Sequence, residues 1–310
     1  MDHPIFLILK TARPRQWIKN LSLYAALVFS GFLFYTTPTT SYFLEVTKAF
    51  LLFCVLSSCV YIVNDIIDLP QDRLHPFKKN RPIASGKLPI PIAAFVAVAG
   101  FLTVIFFALT FSPFFLLLAF GYAALHILYS LKLKHIAILD VLAIATGFVI
   151  RVYAGAVVVN LHMSVWFLLT VISASLFLAV GKRQSERTLM QGKVETRKTL
   201  KNYSQRLLDI YTSMFANTTW LTYALYSFQQ DDFSPTGRLL KIFTVLPKTF
   251  ITQKWLMASV PVVIYVVMRY LQLVYEKNKG ESPDRVLLED KPLLAAVGIW
   301  GVMVIGILYL

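Results

Sequence analysis

Nine apolar runs divide this chain, at about 21–35, 47–63, 89–110, 113–131, 138–160, 163–181, 209–228, 254–275 and 292–310. A helix that crosses a bilayer needs roughly 17 to 25 such residues, and a backbone in hydrocarbon must satisfy its own polar groups. The runs therefore predict an all-α, polytopic membrane protein with about nine transmembrane helices, the first of them short. Composition agrees, since 57% of the residues are hydrophobic and only 15% are charged, where a soluble domain carries about 25% charged residues. Mean hydropathy is +0.65.

The net charge is +14, and most of the 30 Lys and Arg residues lie in alternate connections. They precede the first run and recur in 64–88, 130–137, 182–208 and 276–291. The positive-inside rule then predicts a cytoplasmic N-terminus, with these connections on the same side. Such placement argues against nucleic acid as the partner, because the basic residues sit in short juxtamembrane segments. Residues 1–20, interrupted by Lys10, Arg13, Arg15 and Lys19, read as an interfacial helix rather than a signal peptide. Cys54 and Cys59 share one apolar run and read as packing residues. Residues 239–250 read as an amphipathic helix on the bilayer surface.

One polar segment breaks this pattern in a chemically specific way. Asn64-Asp65-Ile66-Ile67-Asp68-Leu69-Pro70-Gln71-Asp72-Arg73 follows the second run directly. On a helix its three carboxylates lie within about 60° of one another. Acids beside hydrocarbon are costly unless they are used. Oxygen ligands spaced this way suit Mg²⁺, which reaches a protein through one or two carboxylates plus substrate phosphates. Pro70 lacks a backbone donor, so a fresh helical turn is expected there and Asp72 is less tied to the stripe than Asp65 and Asp68. Lys78, Lys79 and Arg81 follow in a loop shaped by Pro76, Pro82 and Gly86, and they suit phosphate oxygens that a metal leaves uncovered. His75 in that loop reads as structural.

A weak internal duplication places Gly181-Lys182-Arg183-Gln184-Ser185-Glu186-Arg187 at the equivalent point four helices later. There the polar segment opens basic instead of acidic, and the two suit a shared, metal-bound anion. Lys182 and Glu186 could equally pair along a helix. Arg197, Lys198, Lys201 and Tyr203 follow as a second basic patch. Arg151 lies inside an apolar run, with Asp140 eleven residues earlier and so on the same helix face. A buried charge of this kind reads as lining a polar cavity, with Gly147 leaving room for a ligand.

The acidic stripe after a membrane helix, within nine spans, resembles the UbiA superfamily of intramembrane prenyltransferases over nearly the whole chain. Most members carry a second Asp-rich motif where this chain has Gly181-Lys182-Arg183. Several further motifs are similar to the decaprenyl-phosphate phosphoribosyltransferase branch. They are Ala12-Arg13-Pro14-Arg15-Gln16-Trp17-Ile18-Lys19-Asn20, Tyr129-Ser130-Leu131-Lys132-Leu133-Lys134-His135, Gly147-Phe148-Val149-Ile150-Arg151 and Pro283-Asp284-Arg285-Val286. The resemblance implies one UbiA-like membrane domain over residues 1–310, a helical bundle around a cavity open to the cytoplasm, in the cell membrane.

It also implies transfer of 5-phosphoribose from 5-phosphoribosyl diphosphate to a polyprenyl phosphate, with Mg²⁺ bound and pyrophosphate released. Asp65, Asp68 and Asp72 become the catalytic and metal-binding residues. Substrate-binding roles are implied for Asn64, Lys19, Arg73, Lys78, Arg81, Tyr129, Lys132 and Lys134. The same is implied for Asp140, Arg151, Lys182, Arg183, Glu186 and Arg197. Two other readings stay open: prenyl transfer from a prenyl diphosphate to an aromatic or quinone-precursor acceptor, and transport without catalysis. The number of protomers is left open.

Overall fold

The computed structural model describes residues 3–38, 40–74, 78–190, 203–230, 254–276 and 283–309. It is helical almost throughout, with one isolated antiparallel bridge between Thr36 and Ser41 among the described residues. Helix α1 spans Pro4–Ala12, and a 3₁₀ segment, Pro14–Leu23, leads into α2, Tyr24–Phe29. Then come α3 (Tyr42–Ile67), α4 (Leu69–Leu74), α5 (Ile90–Ala108), α6 (Pro113–Leu131), α7 (Leu139–Val158) and α8 (Val165–Met190). The chain continues as α9 (Gln205–Gln229), α10 (Val260–Tyr275), α11 (Pro283–Glu289) and α12 (Lys291–Tyr309).

Local sequence explains where the long helices begin. The hydroxyl of Ser41 accepts from Leu44 N, that of Ser112 from Phe115 N, and that of Ser204 from Leu207 N, each satisfying an orphan donor of a first turn. Pro113 follows Ser112 at a position where its missing N–H costs nothing. Helix α3 ends at Ile67 because Pro70 has no N–H to offer Ile66, and α4 restarts at Leu69, as expected.

Seven helices among the described residues are long and apolar enough to cross a membrane. They include Tyr42–Ile67, Ile90–Ala108, Pro113–Leu131, Leu139–Val158 and Lys291–Tyr309. The expected count of nine is not reached for two identifiable reasons. The run at 21–35 is entered from a 3₁₀ segment and closed by Gly31, whose φ of 79° stops α2 after six residues. The run at 209–228 does form α9, but Asn217, Thr218 and Thr219 make it too polar to be among the seven. A further difference lies at residue 182, where a loop was expected: α8 continues to Met190 and carries Lys182 through Arg187 on helix. The surface helix expected at 239–250 lies outside the described residues.

The chain divides into two compact units. The first comprises Met1–Leu27, Phe32–His162 and Lys193–Tyr203. Small residues let its helices approach closely, as membrane packing favours. A Cβ on Gly100 of α5 would run into Sγ of Cys59, which explains the buried thiol as a packing group. Phe53 stacks edge-on to Phe115 and lies 5.5 Å from the Tyr122 ring. Gly155 of α7 lies directly under the carbonyl of Leu23, so the 3₁₀ segment rests on bare backbone. Gly155→Ala is therefore expected to destabilise the fold by about 1–3 kcal/mol, the cost of overpacking. A thermal melt in detergent checks this, and an unchanged midpoint contradicts the packing assignment.

The second unit comprises Val28–Gly31, Met163–Gly192 and Ser204–Leu310. Phe177, Ala216, Val267, Tyr270, Leu273, Val274, Val286 and Leu293 form its core. A Cβ on Gly181 would meet the Tyr270 ring at 2.8 Å, so that glycine serves helix packing. Arg269 forks onto Asp290 at 3.0 and 2.8 Å, and Asp290 caps Leu293 N at the start of α12.

Candidate active site

The three acids of the stripe occupy three different structural positions. Asp65 is in the last turn of α3, Asp68 caps that helix, and Asp72 lies on α4. Asp65 and Asp72 are buried, at 3% and 2% exposure. Burial of two carboxylates requires partners, and the first unit supplies three cations. Arg13 donates to Asp65 Oδ1. Arg81 Nη1 bridges Asp65 Oδ1 at 3.0 Å and Asp72 Oδ2 at 2.5 Å. Lys134 donates to Asp68 Oδ1.

Short local structures aim these cations. Arg81 follows the 3₁₀ turn Lys78–Asn80 and opens a tight loop in which Ser85 N bonds Arg81 O and Gly86, at φ 76°, turns the chain. Lys134 sits in the 3₁₀ turn Leu133–His135 after α6 and is itself buried. Next to Asp65, Asn64 Oδ1 accepts from Ser130 Oγ at 2.6 Å, which fixes α3 to α6 at the level of the acids.

Among the described residues no three His, Cys, Asp or Glu are gathered as a ready ligand group for a metal. The ion pairs spread the acids around Arg81 instead. Yet each cation falls on one oxygen of its carboxylate: Oδ1 of Asp65, Oδ1 of Asp68 and Oδ2 of Asp72. Among the described residues no cation pairs with the second oxygen of any of the three, and an all-oxygen donor set fits Mg²⁺ in chemistry.

The structure brings together Asn64, Asp65, Asp68, Asp72, Arg81 and Lys134 from the residues singled out above. Others go elsewhere. Lys19 donates to Gln16 within the 3₁₀ segment. Arg73, Lys78 and Lys132 are exposed, and Tyr129 is half-buried on α6. Arg183, on the second unit, is fully buried and pairs with Glu186 one turn on. Lys182 beside it is half-buried. His75 and Arg197 lie outside the described residues.

Arg151 and Asp140, on one helix, meet different partners. Arg151 is buried, with Nε on Asn20 Oδ1 at 2.8 Å, Nη1 on Gly147 O at 2.9 Å and Nη2 on Tyr122 Oη at 2.5 Å. Its guanidinium also lies 4.7 Å from the Tyr122 ring centroid. The room expected at Gly147 is taken, since a Cβ there would meet His126 Nε2 at 3.0 Å. Asp140 instead accepts from Tyr203 Oη at 2.7 Å. Tyr203 Oη in turn accepts from Ile138 N at 2.6 Å. Ile138 has φ 72°, a strained value for a β-branched residue, and this hydroxyl holds it there. Tyr203→Phe is expected to cost about 1–3 kcal/mol by removing the bond to a buried carboxylate together with the acceptor of the Ile138 N–H. Its melting temperature measures this.

Sequence reasoning assigned no role to Arg13, Asn20, Tyr122, Ser130 or Asp209. Arg13 and Ser130 lie 52 and 66 residues from the partners they meet, so spacing held no signal for either. In the second unit Asp209 accepts from Gln184, Gln205 and Tyr275, at 3.1, 3.0 and 2.9 Å. An acid on a polar helix was the only hint of it.

Fold and site together define an all-helical integral membrane protein with a charge-dense cluster at the ends of its helices. The profile of the UbiA prenyltransferase family matches residues 23–288, and the chain belongs to that family. It is a transferase by that membership and by its relatives. It is 32% identical over 308 residues to a decaprenyl-phosphate phosphoribosyltransferase of Corynebacterium glutamicum, covering 98% of this chain and 87% of the relative. The protein of that name from Mycolicibacterium smegmatis is 32% identical over 94% of this chain and 89% of its own length. Among solved structures, a UbiA homologue from Archaeoglobus fulgidus bound to GPP and Mg²⁺ superposes with a TM-score of 0.68 at 16% identity, covering 97% of this chain and 99% of that one. At that identity the likeness concerns the fold.

Proposed function

We propose that this protein transfers 5-phosphoribose from 5-phosphoribosyl diphosphate to a long polyprenyl phosphate and releases pyrophosphate. The observation that carries this reading is the near-full-length similarity to phosphoribosyltransferases of that description. The chemistry of the acidic cluster supports it. A phosphate oxygen of the lipid attacks the anomeric carbon of ribose as the bond from that carbon to the diphosphate oxygen breaks.

Asp65, Asp68 and Asp72 are the residues that would hold Mg²⁺. When bound, the ion offsets negative charge on the departing diphosphate. Arg81 and Lys134 stand among those acids and supply cations for phosphate oxygens. Asn64, braced by Ser130, orients the donor side of the cluster. The acceptor phosphate needs cations in place of a second acidic motif. The acceptor is ionised near neutral pH, so the reaction calls for no strong general base. In this reading the protein lies in the cell membrane with the acidic cluster on the cytoplasmic side, where a water-soluble sugar donor reaches it.

Donor choice tests the proposal. Purified protein in detergent, given Mg²⁺ and polyprenyl phosphate, is expected to release pyrophosphate from 5-phosphoribosyl diphosphate. Release only from a prenyl diphosphate with an aromatic acceptor would overturn it in favour of prenyl transfer. Release from neither would favour a non-enzymatic role.

A further inference from the structure

Arg13 is the least committed cation of the acidic cluster. Arg81 spans Asp65 and Asp72, and Lys134 is buried against Asp68. Arg13 has one carboxylate partner among the described residues, Asp65, and 26% of its side chain is exposed. Its guanidinium rests 5.1 Å from the centroid of the Tyr61 ring, one helical turn before Asp65.

The backbone that delivers this side chain is strained and firmly held. Arg13 has φ 54° and ψ 61°, the left-handed region, which is unfavourable for any residue with a Cβ. Pro14 follows and adds its own restriction on the preceding residue. Both flanks are fastened to α3. Ala12 O accepts from Ser58 Oγ at 3.0 Å, and Trp17 Nε1 donates to that same hydroxyl at 3.0 Å. Leu7 of α1 packs with Ile62, Ile83 and Leu88, while Ile5, Phe6 and Leu9 face outward. Strain that the surroundings impose on a single arginine, aimed at the acids, points to a role for that side chain.

The charge balance indicates the role. Among the described residues three carboxylates and three cations cancel, so a divalent ion joining the acids leaves an excess of two positive charges unless it displaces a cation or brings an anion with it. Arg81 keeps Asp72 if it loses Asp65, whereas Arg13 loses the one carboxylate it meets among the described residues. We propose that Arg13 is an exchangeable counter-ion. It neutralises Asp65 when no divalent ion is bound, and it turns to a phosphate oxygen of the donor's diphosphate when one is. This deepens the diphosphate-donor reading and rests on it.

Two calorimetric titrations in detergent test the exchange without turnover. The first adds Mg²⁺ alone, and the second adds pyrophosphate at saturating Mg²⁺. Pyrophosphate is the leaving group of any diphosphate donor, so the outcome does not depend on phosphoribosyl diphosphate being the substrate. For Arg13→Gln, Mg²⁺ alone is expected to bind about twofold to fivefold more tightly, the range a partly exposed ion pair allows. Pyrophosphate is expected to bind roughly tenfold or more weakly for want of one charge-assisted bond. Arg13→Lys should recover part of the pyrophosphate affinity. Arg13→Gly relieves the backbone strain and removes the charge, so it should match Arg13→Gln even if the latter folds poorly. Unchanged or weaker Mg²⁺ binding in both charge-removing variants, or undiminished pyrophosphate binding, would overturn the proposal and leave Arg13 as a structural brace.

Discussion

Asp65→Asn is expected to lower turnover by roughly 10³-fold or more while leaving a folded protein, because in the proposed function Asp65 is one of the charged oxygen ligands that would hold the metal. The fold survives because neither cation is stranded: Arg13 is partly exposed to water and Arg81 keeps Asp72. Asp68→Asn should cost comparable activity but more stability. Lys134 is buried, and the substitution removes the carboxylate it donates to. Initial rates at saturating donor, read beside a melt of each variant, separate the two effects. Near-normal rates in both variants would contradict the assignment of these acids to a metal.

Arg151→Met should produce the largest loss of stability, about 3–5 kcal/mol, typical of dismantling a buried charged network. Arg151 holds the 3₁₀ segment through Asn20, α6 through Tyr122 and its own helix through the carbonyl of Gly147. Methionine fills the volume but leaves the Asn20 carbonyl and the Tyr122 hydroxyl unmatched in an apolar layer. Asn20 keeps its contacts with Ser57 and Cys54, so the loss is local to this junction. Tyr122→Phe removes one of the three bonds and should cost only about 0.5–1.5 kcal/mol. If Arg151→Met melts like the parent and only the affinity for a phosphate ligand falls, Arg151 belongs to substrate binding and this account of it is wrong.

These contrasts show what a linear reading can reach. Runs bounded by strong local signals were legible: the run at 113–131 begins at Ser112-Pro113 and is helix Pro113–Leu131. The run at 21–35 looked helical by composition, but a 3₁₀ entry and a left-handed Gly31 divide it. The acids at 65, 68 and 72 were legible because their spacing is local. Their counter-ions were only partly so. Lys132 and Lys134 are indistinguishable in sequence, and only the turn at Leu133–His135 sends the second inward while the first stays exposed. Arg151 shows the limit most clearly. A buried charge in an apolar helix suggested a ligand, yet its partners are Asn20 and Tyr122, residues 131 and 29 positions away.

The most direct test of the central claim follows the ribose itself. The protein, in detergent with Mg²⁺ and a polyprenyl phosphate, is given 5-phosphoribosyl diphosphate labelled in the sugar. The label is expected in a lipid-extractable product, absent when Mg²⁺ is chelated and absent with Asp65→Asn. Label that stays in the aqueous phase, while a labelled prenyl diphosphate alkylates an aromatic acceptor under the same conditions, would contradict the account.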